Sequence, residues 1–311
     1  MSTSVNTDDK RVLLVTGANK GIGYETAKQL SQLLPNATVL LGTRSLDNGT
    51  KAIQQMRAEH ADSAFSNIQP LVIDITNSQS IDKAVAHVKA TYGRLDVLVQ
   101  NSGISHFDGD SWHRVVLDVN FEGAHAAIEG FLPIIPPATG LIVLVSSTVG
   151  TYAAATLPAD LQQVLLGEAG SLSWPQLQSL RDDWLAYCNN QPSRYQWTPR
   201  DQLVGHYDIS KTLVNAYARM QAAQHSQPKL VLVCPGYCAT DLNIQRGMDP
   251  PSKGAQSVMW PILREKAARH GVLYQHGKEL PYVQEAPEQY TSNMRELMAE
   301  VASKAAALKQ Q

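Results

Sequence analysis

Cysteine is scarce in this 311-residue sequence. Its three copies, Cys188, Cys234 and Cys238, form neither an even disulfide set nor a metal-ligand pattern with nearby histidines. A disulfide-stapled secreted scaffold is thereby disfavoured, and a reducing compartment, the cytoplasm, is expected. No uninterrupted apolar run reaches the ~20 residues that a membrane helix needs, and the polar, acidic start MSTSVNTDDKR lacks the apolar stretch of a secretory leader. Neither sign of charge prevails: 26 Lys+Arg against 28 Asp+Glu give a net charge of −2, with the two signs mixed along the chain. That balance offers no electrostatic handle for nucleic acid or an anionic membrane, so the expected partner is a small molecule. Internal repeats and low-complexity tracts are also missing, which argues against a solenoid.

What is present is a rhythm. With 43% hydrophobic residues the chain can bury a large core. Short apolar runs recur at Val12 to Val15, Thr38 to Leu41, Leu71 to Ile75, Leu95 to Val99, Leu141 to Val145 and Leu230 to Val233. Between them lie stretches of helical spacing: Ile22 to Leu34, Leu46 to His60, Ser80 to Tyr92, Ser111 to Leu132 and Tyr207 to His225. Strands apolar on both faces, alternating with helices, predict an α/β fold, a doubly wound parallel sheet with helices on both faces. One domain is expected over 11–284, after a disordered 1–10 and before a helical tail over 285–311. The rhythm breaks once, between Ser147 and Tyr207, where Leu157 to Leu166 and Ser173 to Tyr187 have helical spacing of their own. This predicts a helical insertion over about 151–205. A further helix after Pro250 and a short strand near Val272 to Tyr274 complete the expectation.

Directly after the first strand comes Thr16-Gly17-Ala18-Asn19-Lys20-Gly21-Ile22-Gly23, opening a helix. A pyrophosphate approaches such a turn closely only where side chains are missing, and the helix N-terminus supplies N–H donors for it. Gly17, Gly21 and Gly23 meet that need, with Asn19, Lys20 and Ile22 between them. The second strand runs into Gly42-Thr43-Arg44-Ser45, without the carboxylate that would bind the ribose 2′-hydroxyl of NAD. Arg44 and Lys20 instead put two cations where a 2′-phosphate would sit, so NADPH/NADP is the expected cofactor.

Tyr207-Asp208-Ile209-Ser210-Lys211 opens another predicted helix and sets Tyr207 and Lys211 four residues apart on one face. A phenol with an ordinary pKa near ~10 can exchange protons near neutrality when an ammonium stabilises its anion. Ser146-Ser147 closes the fifth strand at the carboxyl end, where open α/β sheets bind ligands, and a hydroxyl there can hold a carbonyl oxygen. Asn120, inside a predicted helix where asparagine fits poorly, is a candidate water holder. His206, beside Tyr207, reads better as a structural helix-start histidine than as a second acid.

Together these motifs resemble the short-chain dehydrogenase/reductase superfamily, and most of all its carbonyl reductases, over about residues 10–280. The resemblance implies that Gly17, Gly21 and Gly23 form the glycine motif and that Asp74-Ile75 contacts the adenine. It makes Ser147, Tyr207 and Lys211, with Asn120, the catalytic set. It assigns Pro235, Gly236 and Thr240 to the nicotinamide side and Asn101 to the cofactor. The family's Asn-Asn-Ala-Gly stands here as Gln100-Asn101-Ser102-Gly103. The long insertion is similar to that of the monomeric carbonyl reductases, where it covers the face other members use to dimerise, so a monomer is expected. The expected reaction is NADPH-dependent reduction of a ketone, aldehyde or quinone, with Thr148, Val149 and Tyr237 lining the pocket beside Ser147. Two other functions fit the same residues: an idle NADP-binding sensor or scaffold, and an NADP-dependent secondary alcohol dehydrogenase working in the oxidative direction.

Overall fold

The structure, a computed structural model, describes residues 10–59, 65–105, 112–198 and 205–288, with 290, 292 and 296. Its elements run β1 (Val12–Val15), α1 (Gly21–Leu33), β2 (Thr38–Thr43), α2 (Leu46–Glu59), β3 (Ile68–Val72), α3 (Ser78–Tyr92) and β4 (Val97–Gln100). Next come α4 (Trp112–Leu117), a π-helical turn (Asp118–Gly123), α5 (Ala124–Phe131) and β5 (Leu141–Val145). The second half holds α6 (Thr148–Thr156), α7 (Ala159–Leu166), α8 (Trp174–Cys188), α9 (His206–Gln224), β6 (Lys229–Val233), α10 (Pro251–Leu263), β7 (Leu273–Gln275) and β8 (Lys278–Leu280).

The strands form one sheet in the order β3-β2-β1-β4-β5-β6-β7-β8, parallel except for the last pair. Successive strand residues point to opposite faces, and both faces are buried. Leu14, Leu40, Leu98, Ile142, Leu144 and Leu232 join one core with α3, α5, α9 and the insertion. Leu13, Val15, Val39, Val97, Val143 and Val231 join the other with α1, α2 and α10. The doubly wound sheet expected from the apolar runs is the one observed.

Several elements differ from the expectation. The third strand spans Ile68–Val72 rather than 71–75. It lies at the sheet edge, where Pro70 breaks no needed hydrogen bond, and after the Ile73 N–H bond to Thr43 the Asp74 carboxylate turns the chain by accepting from Thr76. The predicted helix over 111–132 is interrupted by the π-helical turn around Asn120, a local change of winding that periodicity does not register. β8 was not expected. Its three residues are mostly polar, and what folds it back on β7 is the His276-Gly277 pair, both with positive φ, as a two-residue hairpin turn needs.

The insertion has three helices instead of two, because Thr148–Thr156 is itself helical, with Ser147 as its N-cap. Leu157, Leu161, Leu165, Leu177, Leu180, Trp184 and Leu185 share one core with Ile209, Leu213, Val214 and Tyr217 of α9. Every residue of α9 from Asp208 to Ala218 is buried, so the insertion covers the helix that carries Tyr207. At one end of this contact the His125 ring stacks on Trp174 at 3.5 Å between centroids, and burial pushes its pKa down to about 4. Of the helical tail expected over 285–311, 285–287 are not helical, ending at Pro287, residues 288, 290, 292 and 296 are helical, and the rest beyond 288 lies outside the described residues, as do 1–9 of the N-terminal segment and 199–204 of the insertion.

Candidate active site

The carboxyl end of β5 and the first two turns of α9 are tied together side chain by side chain. On α9, positions 207, 211 and 215 recur every four residues and therefore share a face. The Lys211 Nζ donates to the Val145 carbonyl at 2.9 Å, and the Ser146 hydroxyl donates to Asn215 Oδ1 at 2.6 Å. The next residue, Ser147, leaves the strand as the N-cap of α6, accepting from the Val149 N–H at 3.3 Å, and is hydrogen-bonded to the Tyr207 phenol. The Lys211 ammonium stands 5.5 Å from the Tyr207 ring centroid. Ser147, sixty residues before Tyr207, thus meets Tyr207 and Lys211 at one end of the sheet.

The electrostatics depart from the simple pairing expected. Burial pushes the Tyr207 phenol well above its ordinary range; the Cys234 sulfur and the Asp208 carboxylate add to the rise, and the bond to Ser147 opposes it. Lys211 is pulled down to about 8 by its own burial, with Cys234 opposing. Spacing alone counts the ammonium's attraction for the phenolate and omits the desolvation of both groups.

Asn120 sits in the π-helical turn, buried, and both ends of its amide are hydrogen-bonded. Its Oδ1 accepts from the Ile104 N–H at 2.8 Å, and its Nδ2 donates to the Ile104 carbonyl at 2.8 Å and to Ser210 Oγ at 2.9 Å. Ser210 in turn donates to the Tyr207 carbonyl at 2.6 Å. The side chain therefore clamps the loop after β4 to α9, a positioning task.

The glycine turn is tightly packed at Gly17 and Gly23. A Cβ at Gly23 would stand 2.5 Å from the Gly17 carbonyl oxygen, and one at Gly17 would stand 2.9 Å from Ser102 Oγ, so neither position admits a side chain. Lys20, the N-cap of α1, makes no side-chain cap, which leaves the first N–H groups of the helix without a side-chain acceptor. A turn stripped of side chains next to uncapped N–H donors fits the diphosphate of a dinucleotide. Asn101 supports this turn: its Nδ2 donates to the Thr16 carbonyl at 2.9 Å and to the Gly17 carbonyl at 3.3 Å. Gln100 and Ser102 are accommodated around Thr16, whose hydroxyl donates to Gln100 Oε1 and accepts from the Ser102 N–H, each at 3.0 Å.

Around the turn, Arg44 lies exposed just past β2, and Lys20 forms an ion pair with Asp241 at 2.8 Å. Asp241 belongs to the loop after β6, which begins with Pro235-Gly236 and brings Thr240 within 3.5 Å of a Cβ placed on Gly21. Asp74 and the buried Ile75 follow β3, with Ile75 against the backbone of Gly123 in the π-helical turn. Thr148 and Val149 open α6, and Tyr237 is partly exposed on the loop after β6. His206 is buried against Trp184, its Nδ1 3.6 Å from Cys188 Sγ, in line with the structural reading.

Comparison with known proteins gives the family. The family model described as short chain dehydrogenase matches residues 11–159. Carbonyl reductase [NADPH] 1 of Bos taurus is 31% identical over 260 residues, covering 81% of this chain and 90% of its own. The chain belongs to the short-chain dehydrogenase/reductase superfamily. A (+)-neomenthol dehydrogenase of Capsicum annuum is 27% identical over 319 residues, covering 89% of this chain and 98% of its own. Among solved structures, salutaridine reductase from Papaver somniferum superposes with a TM-score of 0.71 at 23% identity, over 85% of this chain and 99% of that one, a likeness of fold. As a short-chain dehydrogenase/reductase the protein is an oxidoreductase that uses an NAD(P) cofactor, of a kind that reduces carbonyls. Among the described residues, no helix is long and apolar enough to cross a membrane.

Three residues of this short-chain dehydrogenase/reductase site escaped the sequence reading. Gly150 carries α6 across α9 at Lys211: the Thr212 hydroxyl donates to the Gly150 carbonyl at 2.9 Å, and a Cβ there would stand 2.6 Å from the Lys211 carbonyl carbon. Cys234, at the end of β6, accepts the Thr148 N–H at 3.4 Å and acts electrostatically on both Tyr207 and Lys211. Tyr290 reaches the same region from the far end of the chain. The sequence held a signal only for Gly150, as a glycine three residues after the strand-end serine.

Proposed function

We propose that the protein reduces a ketone, aldehyde or quinone to the alcohol with NADPH, as a cytoplasmic monomer. The reading rests on one observation: Ser147, Tyr207 and Lys211 meet at the carboxyl end of β5, on the side of the sheet where the glycine turn opens. The nicotinamide, when bound, supplies the hydride to the carbonyl carbon. Ser147 Oγ donates a hydrogen bond to the carbonyl oxygen and polarises it. Tyr207, kept protonated by burial, delivers its proton to that oxygen as negative charge develops there. The Lys211 ammonium stabilises the phenolate left behind and is held in place by the Val145 carbonyl. Asn120 and Ser210 hold the start of α9 against the loop after β4. Arg44 and Lys20 select the 2′-phosphate of NADPH, and Lys20 leaves Asp241 to do so. The monomer reading is supported by the insertion packed over α9.

The test is a panel of ketones, aldehydes and quinones with NADPH and with NADH, following the absorbance of the reduced nicotinamide. NADPH oxidation that requires a carbonyl, and that disappears in Tyr207→Phe while NADPH binding persists, is the expected result. NADPH binding without turnover on any carbonyl would favour the idle sensor, and turnover only of alcohols with NADP would favour the oxidative enzyme.

A further inference from the structure

The geometry points to Tyr290 as a specificity-determining residue that hydrogen-bonds a second oxygen of the substrate, set apart from the carbonyl being reduced; this rests on the carbonyl reduction proposed above.

The residues before Tyr290, and its ring, are held against α6 and the loop before β7 by their own contacts. After β8, the Tyr282 hydroxyl donates to the Gly271 carbonyl at 2.7 Å, and the Arg219 guanidinium lies 5.3 Å from the Tyr282 ring centroid. Gln284 then binds α6 one turn beyond Ser147: its N–H donates to the Thr151 carbonyl at 3.3 Å and its Nε2 to Thr151 Oγ1 at 2.7 Å. Six residues on, the Tyr290 ring packs on Tyr152, with centroids 5.0 Å apart and planes at 58°.

The phenol that results is in an unusual position. Its electrostatic neighbours are Asp208, Tyr207, Tyr152 and Tyr237, a set that includes the proton donor and a residue of the expected pocket wall. Its Oη is shielded from solvent and has no hydrogen-bond partner among the described residues. An unpaired buried hydroxyl costs about 1–3 kcal/mol, and a substrate oxygen at that position would remove the cost. Burial also pushes this phenol far above its ordinary range, so it stays protonated and acts as a hydrogen-bond donor, not as a second acid. The loop after β6 exposes Leu242, Ile244 and Met248 beside Tyr237, and the Ser105 hydroxyl bonds the Leu242 carbonyl, drawing this apolar rim toward the loop after β4. The ligand these features fit is an apolar carbonyl compound with a neighbouring hydroxyl or second carbonyl.

The experiment uses the full chain with NADPH and a matched pair of substrates, an aryl 1,2-diketone and the aryl monoketone of the same frame that lacks the second oxygen. Tyr290→Phe keeps the ring that packs on Tyr152 and removes only the hydroxyl. The variant should lose about threefold to tenfold in kcat/KM on the diketone, the worth of one neutral hydrogen bond, through KM and with kcat near the wild-type value. Its kcat/KM on the monoketone should be unchanged. A structural role would lower both substrates together, and that result, or equal activity of variant and wild type on both, would overturn the assignment. Wild-type turnover of the monoketone tests carbonyl reduction separately. If the wild type reduces neither substrate, the assignment of Tyr290 to this ligand class falls while the carbonyl panel decides the reduction itself; if it reduces both and the variant does not discriminate, only the role of Tyr290 falls.

Discussion

Replacing Gly150 by alanine adds one methyl group where the catalytic helix leaves no room. The new Cβ would stand 2.6 Å from the Lys211 carbonyl carbon, 2.8 Å from its oxygen and 2.8 Å from the Thr212 nitrogen. All three are backbone atoms, so no side chain can swing aside. To restore the 3.4 Å of ordinary contact, α6 has to move from α9 by about 0.8 Å, the difference between 3.4 and 2.6. Ser147 is the N-cap of α6 and Lys211 is part of α9, so the shift separates the hydroxyl from the phenol and ammonium that it works with. It also stretches the Thr212 bond to the Gly150 carbonyl. Overpacking of this kind costs about 1–3 kcal/mol of stability, and a misplacement near 1 Å can cost about a hundredfold in rate. The assay compares thermal unfolding and kcat of Gly150→Ala with those of Gly170→Ala, where an added Cβ meets nothing within 4 Å. Gly150→Ala should melt several degrees lower and lose one to two orders of magnitude in kcat, on the order of the two effects combined, while Gly170→Ala stays near wild type. A Gly150→Ala enzyme with wild-type kcat would refute the claim that this crossing sets the distance between Ser147 and Lys211.

The pH dependence should carry the mark of Lys211, whose pKa burial pulls down to about 8: the ammonium is charged below that pH and neutral above it. kcat/KM for NADPH, which reports the free enzyme, should fall on the alkaline side with a midpoint near 8, and Lys211→Arg should remove that limb. A limb that stays in place in Lys211→Arg assigns it elsewhere. Arg44→Ala with Lys20→Ala should weaken NADPH binding tenfold or more and leave NADH binding nearly unchanged, since a charged hydrogen bond contributes about 1.5–3 kcal/mol. Equal losses for both cofactors in titration calorimetry would remove the 2′-phosphate site. Light scattering at micromolar concentration should give a mass near 34.0 kDa, because the insertion already covers α9; a stable value near twice that would contradict the shield.

The sequence by itself determined the parts of this protein that depend on local order. Apolar runs of strand length separated by helical spacing specify the doubly wound sheet, since only burial on both faces satisfies such strands. β5 was legible to the residue, because Leu141 and Val145 bound an unbroken apolar run. The glycine turn and the Tyr207–Lys211 spacing were legible because each is a motif of a few consecutive residues. Tertiary structure alone decided what depends on distant neighbours. It set the end of β3 by the pairing with β2, and it made Asn120 a clamp between the loop after β4 and α9. It turned Gly150 into a spacer, moved the ionisation of Tyr207 and Lys211 by burial, and brought Tyr290 from the last part of the chain against Tyr152 of α6. Desolvation and close approach are properties of the packed interior; they arise from contacts between residues tens of positions apart, and no local pattern records them.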